Sequence, residues 1–177
     1  MTRAFAILRL THLAAQEIDQ LADVLLDCVA GGASIGFMSP LSRERAIAFW
    51  QGVAEGVARG SRAILVAHDP SDDNRIVGTV QLILDLPDNQ PHRADLVKMQ
   101  VHSRARRLGL GEALMRAAED LARELGKTLL VLDAVTDGDA ARLYARLGWI
   151  RVGDIPHYAL MPDGTPCGTT YFYRDLR

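Results

Sequence analysis

Apolar positions along this chain change period several times, and each change marks an element. AFAILRL (4–10) is a short β-type run. Leu13, Ile18, Leu21, Leu25 and Cys28 then recur at mostly helical spacing, which predicts a helix reaching Val29. GGASIGFMSP (31–40) interrupts it with three glycines and a proline. Ser42 has N-cap chemistry, and Ala46, Ile47, Phe49, Trp50, Val53 and Val57 form the apolar stripe of a second helix. RAILVAH (62–68) and RIVGTVQLIL (75–84) read as a hairpin around the turn formers DPSDDN. RADLVKMQV (93–101) is a further strand, followed by a helix over 109–125, the strand TLLVLDA (128–134) and a helix from about Asp139 to Leu147. WIRVGDI (149–155) and TTYFYRDL (169–176) close the chain as strands, with PDG (162–164) as a turn between them and a loop around His157 and Tyr158. This order predicts one mixed α/β domain over residues 1–177, with six to seven strands and about four helices. Strands 93–101 and 128–134 run parallel through a right-handed crossover.

Composition narrows the function. A net charge of −2 offers no global attraction to nucleic acid or to an anionic membrane, so any cationic function is local. The dense basic cluster is Arg104, Arg106 and Arg107. Two cysteines, Cys28 and Cys167, outside any metal-spaced motif, give no disulfide framework and point to a reducing cytoplasm. The N-terminal apolar run is too short for a secretory signal, and no run approaches the length of a membrane span. The five histidines lack helical i, i+4 partners, so no metal site is expected.

The segment RRLGLGEAL (106–114) lies between strand 93–101 and the next helix, where a helix tip presents unpaired N–H groups and partial positive charge. Gly109 and Gly111 allow close approach of a ligand to the backbone. The local chemistry fits a phosphate cradle, and equally a glycine-relaxed helix start with solvated arginines. The GxxxxGK[ST] phosphate loop is absent, and Leu114 stands where a GxGxxG fingerprint needs its third glycine.

The R-x-x-G-x-G run Arg106–Gly111 after DLVKMQVHSRA, together with ARLYARLGWIRVG (141–153), resembles the GNAT superfamily of acyl-CoA-dependent N-acetyltransferases. The order of elements resembles that fold over nearly the whole chain. GGASIGFM, RADLVKMQVHSRAR, LLVLD and RVGDIPHYALMPDG resemble, more narrowly, its tabtoxin-resistance type. The resemblance implies that the pyrophosphate of acetyl-CoA sits on Arg106, Arg107, Leu108, Gly109, Leu110 and Gly111. The pantetheine arm would pair with backbone of Met99, Gln100 and Val101, where strand 93–101 splays from its parallel neighbour.

Two acids accompany this slot. Asp95 alternates in phase with Val97, Met99 and Val101, so it is either at a frayed strand start or partly desolvated, which would raise its pKa and suit it as a base. Asp133 ends an otherwise apolar run, at the C-terminal strand end where α/β ligand sites form. The resemblance implies that these two form the catalytic pair, with Asp95 standing where the related type has Glu. A bridging water would then restore reach. Tyr144 shares a helix face with Ala140, Ala141 and Leu147, which also fits a core aromatic; the resemblance makes it the acid that protonates the departing thiolate. Asp137 falls where relatives carry an Asn and takes no role. Gly31–Met38 reads as a lid or as a tight helix connection.

The resulting expectation is direct acetyl transfer, within a ternary complex, to a primary amine of a small molecule such as an amino-acid-like toxin or antibiotic. A peptide acceptor, a non-catalytic acyl-CoA-binding module and a homodimer are the competing or additional possibilities.

Overall fold

A computed structural model describes residues 4–177. Strands β1 (Ala6–Leu10), β2 (Arg62–Asp69), β3 (Arg75–Ile83), β4 (Arg93–Val101), β5 (Leu129–Val135), β6 (Ile150–Leu160) and β7 (Pro166–Asp175) form one sheet in the order β1-β2-β3-β4-β5-β7-β6. Helices α1 (Ala15–Ala30), α2 (Arg43–Ala58), α3 (Leu110–Glu124) and α4 (Asp139–Arg146) flank it. Every neighbouring pair is antiparallel except β4 and β5, joined by the α3 crossover.

The strands alternate between two apolar layers. Ile64, Val66 and Ile76 pack with Leu21, Leu25 and Trp50 of α1 and α2. Leu65, Leu82, Leu96, Leu130 and Leu132 pack with Leu110, Leu114 and Leu121 of α3. Ser42 caps α2 as its side chain predicts, its oxygen accepting from Arg45 N–H at 3.3 Å. Leu13 precedes α1 yet is buried, anchoring the chain's entry into that helix.

Two differences from the sequence pattern matter. First, β6 continues through His157 and Tyr158 to Leu160 and turns at Pro162–Gly164, so these two residues lie in a strand and not in a loop. The strand is irregular there, with His157 in the left-handed region, and the alternation is locally unreadable. Second, β4 does not keep one alternation. Gln81 pairs with Val97 and Thr79 with Gln100, so β4 carries one residue too many opposite Val80. The β-bulge centres on Lys98, whose φ is +53°. It reverses the faces: Met99 and Val101 pack on the α3 side with Ala94 and Leu96, not on the side of Asp95.

Candidate active site

The parallel ladder between β4 and β5 is short. Arg93, Ala94 and Asp95 face Leu129, Leu130 and Val131, and pairing stops there. Residues 96–101 and 132–135 run on without bonding each other, while β5 stays bonded to β7 through Val135. The result is a gap between two strand edges whose backbone groups seek partners.

The gap leads to the tip of α3. Arg107 and Gly109 both have left-handed backbone, with φ of +63° and +81°, and Leu108 and Gly109 are exposed. A Cβ on Gly111 would lie 3.2 Å from Leu143 Cδ2 and 4.0 Å from Met99 Cε. Helix tip, β4 and α4 thus meet closely at Gly111, where a side chain would crowd Leu143.

The basic cluster divides. Arg104 pairs with Asp72. Arg106 turns inward, its Nε donating to Val101 O at 3.0 Å and its Nη2 lying 3.7 Å from Asp27. Arg107 is exposed and has no ion pair among the described residues. Asp27 itself accepts from the backbone N–H and hydroxyl of Ser103, both at 2.7 Å, and so ties α1 to the start of the loop. Burial alone would raise its carboxyl, but those bonds, with His102 and Arg106, hold it below its ordinary value.

The acids lie on the other face of the sheet from α3. Asp95 is the last paired residue of β4; its side chain is 33% exposed and takes a 2.9 Å bond from Arg93 Nη1. Burial pushes its carboxyl up, Arg93 opposes this, and the charge of Asp133 adds to it. Asp133 stands two residues beyond Val131, the last β5 residue paired with β4, on the face opposite the buried Leu130 and Leu132, and accepts from Thr169 Oγ1 at 2.7 Å. Two tyrosines accompany it: Tyr158, which the chain pattern placed in a loop beside the acceptor pocket or simply at the surface, and Tyr171, which that pattern did not single out. Tyr171 lies opposite Asp133 in register, and its hydroxyl is 3.0 Å from that of Tyr158. The Tyr158 bond, burial and the nearby acids push Tyr171 up to about 12. The alternation of TTYFYRDL places Tyr171 and Asp133 on one face once β7 is known to pair with β5, a pairing that no local pattern reveals.

Tyr144 is 5% exposed and packs edge-on against Phe172 and beside Trp149. It is a core residue by packing, yet its hydroxyl makes no hydrogen bond among the described residues. Burial, helped by the charge of Asp133, pushes it well above its ordinary value, so it keeps its proton at neutral pH. Asp137, in the loop before α4, has left-handed backbone, and its carbonyl accepts from Arg142.

The 31–42 segment crosses from α1 to the tip of the β6–β7 hairpin. Ser34 Oγ donates to Leu160 O and Ser39 N–H to Pro162 O, both at 2.9 Å, while Phe37 stacks edge-on against Phe49 of α2. Gly32 and Gly36, with φ of +85° and +92°, supply turns that other residues resist. Among the described residues no cluster of His, Cys, Asp and Glu is arranged to hold a metal. No helix among them is long and apolar enough to cross a membrane.

A family model described as Acetyltransferase (GNAT) family matches residues 29–149. An uncharacterised N-acetyltransferase of Azospirillum brasilense, from the hisH–hisA intergenic region, is 32% identical over 127 residues, 71% of this chain and 72% of its own. Among solved structures, a protein of Acinetobacter baylyi ADP1 provisionally named an acetyltransferase superposes with a TM-score of 0.80 at 17% identity, covering 97% of this chain and 93% of its own. The Salmonella typhimurium protein yncA, solved with its cofactor acetyl-CoA, gives 0.77 at 17% identity, covering 98% and 95%. These structural likenesses establish the fold, and the sequence matches establish the family: the chain belongs to the GNAT acetyltransferases, enzymes that take their acyl group from acetyl-CoA.

Proposed function

We propose that residues 1–177 act as one enzyme domain that acetylates the primary amine of a small molecule, in the manner of the tabtoxin-resistance type. The observation that carries this reading is the three-pair β4–β5 ladder, which ends between Asp95 on one side and the glycine-bounded α3 tip on the other.

Acetyl-CoA supplies an activated acyl group when bound. Backbone of Met99, Gln100 and Val101 aligns it along the gap, with the Val101 carbonyl shared with Arg106, so that proximity and orientation supply much of the rate. The α3 tip, from Arg106 through Gly111, takes the phosphates, with Arg107 as the free charge. Asp133, with Asp95 directly or through water, removes the proton of the acceptor ammonium. Unpaired N–H groups of β4 polarise the acyl carbonyl. Tyr144, still protonated at neutral pH, delivers its proton to the departing sulfur.

The segment Gly31–Met38 serves as the roof of the acceptor side, held at the hairpin tip by Ser34 and Ser39. Retention of both acids and of Tyr144 favours an enzyme over a non-catalytic carrier of acyl-CoA. A cytoplasmic setting fits the two free cysteines. The β6 edge exposes the apolar side chains Ile150, Val152, Ile155 and Leu160, an edge suited to a second copy of the chain, so a homodimer forms part of the reading.

Thiol release from acetyl-CoA, measured across a panel of small amines, tests the whole. Acetyl-CoA binding without acetylation of any amine would reduce the protein to a carrier, and preferential acetylation of peptides would shift the acceptor class. Light scattering at micromolar concentration reads the oligomeric state, and a monomer would remove the homodimer.

A further inference from the structure

Lys98 is the one residue of β4 that neither alternation explains. It occupies the bulge, in left-handed backbone that a lysine adopts only at a cost. Its side chain is half-buried beneath the 31–42 segment: a Cβ on Gly36 would lie 3.3 Å from its Nζ. The ammonium makes no hydrogen bond or ion pair among the described residues. Taking an ammonium partly out of water without a counter-charge is costly, and burial and the nearby Arg62 both lower its proton affinity while Asp133 supports it.

Its neighbours share this incompleteness. Gln81, opposite Val97 and so beside the bulge, binds Arg62 through Oε1 at 3.1 Å but leaves Nε2 buried and unpartnered. Gln100, two residues past Lys98, is 2% exposed, and neither of its amide atoms has a partner. Lys98 and Arg62 supply positive charge, while the unpaired amide groups of Gln81 and Gln100 are themselves buried. The two acids supply negative charge on the same open face. A ligand matching this lining is itself of two signs.

We propose that Lys98 binds an anionic group of the acceptor, so that the substrate is an amine carrying a carboxylate, with its ammonium at Asp133 and Asp95 and its carboxylate at Lys98. This rests on the acetyltransferase reading above and adds the acceptor's second functional group and the residue that reads it. The bulge, by displacing Lys98 from the ladder, turns a strand residue into a binding residue, as bulges beside active sites do.

The test compares kcat/KM for α-, β- and γ-amino acids, each beside its own primary amide, in wild type, Lys98→Met and Lys98→Arg. The amide carries the less basic amine, so intrinsic reactivity at neutral pH favours it. Wild type is expected to prefer the acid of the best pair by about tenfold or more, the scale of a charge-assisted bond. Lys98→Met is expected to bring that ratio to parity or below, and Lys98→Arg to retain part of the preference. Because the readout is a ratio, a general loss of activity or stability does not imitate the result. Parity in wild type, or an undiminished ratio in Lys98→Met, overturns the proposal, as does failure to acetylate every acid of the panel. Acetyl-CoA binding by calorimetry and thiol release with the neutral amides, run on the same samples, show whether the acetyltransferase reading falls with it.

Discussion

The two faces of this sheet are made by the same strands and treat polar groups in opposite ways. On the α3 face the apolar layer closes. Glu119, a buried charge there, is satisfied by Trp149 Nε1 at 2.9 Å, with Arg174 at 3.5 Å and Arg123 at 3.9 Å. On the other face α1 and α2 close an equally dry layer over β2 and β3, but the cover thins over β4 and β5. Asp95, Lys98 and Asp133 lie where it thins, half in water, with Gln81 and Gln100 unsatisfied nearby. The packed face pairs its buried carboxylate internally and leaves few groups to offer a ligand, the Tyr144 hydroxyl among them. The face on which packing stops early keeps charges whose full partners are absent, and those are the groups able to act on a substrate.

The sharpest way to break this contrast is Asp133→Asn. On the open face it is expected to lower kcat by about 10²–10⁴, the range for a positioned proton-transfer group, with acetyl-CoA affinity nearly unchanged. A variant with wild-type kcat and an unaltered pH–rate profile would take the base role from Asp133. Tyr144→Phe probes the closed face. Its hydroxyl has no partner among the described residues, so the melting temperature should hardly move while kcat falls by about 10², the low end for a general acid. An equal fall in stability and rate would make Tyr144 a packing residue only.

Gly111→Val tests the helix tip between the faces. A Cβ there lies 3.2 Å from Leu143 Cδ2, so a valine must displace its neighbours at the proposed cradle, and the Kd for acetyl-CoA should rise about tenfold or more, read by calorimetry. The smallest effect is expected for Asp95→Asn and concerns pH. Burial raises the folded-state pKa of Asp95, so the folded protein holds this proton more tightly than the unfolded chain. The group's contribution therefore favours folding at low pH and turns against it as pH rises from about 4, the unfolded value, through the folded one. Wild type should lose slightly more melting temperature across that window than Asp95→Asn, and identical curves would show that Asp95 is fully solvated.

Much of the proposed cofactor side is legible in the chain itself. Strand 93–101, the R-x-x-G-x-G turn and the helix after it are local: the apolar period marks the elements, and glycine marks the backbone that must turn left-handed. Gly109 does so, and Ser42 caps α2 because its side chain reaches only three residues. The basic cluster is less legible than it looks. Arg104 and Arg106 bond to Asp72 and to Val101 O and Asp27, partners whose positions follow from the packing of distant segments. Tyr171 becomes a neighbour of Asp133 only because β7 inserts between β5 and β6.

What the sequence by itself determined is everything set over short distances: the order of strands and helices, the glycine tip of α3, and the presence of one acid in each of the two strands 93–101 and 128–134. Period and capping act within a few residues, so they can be read without knowing the fold. The tertiary structure alone decided where the β4–β5 ladder ends, and that a bulge at Lys98 reverses the faces of β4 and carries a lysine under the 31–42 segment. Register and burial depend on which strands lie side by side, and alternation counted along one strand cannot register a residue that its neighbour leaves unmatched.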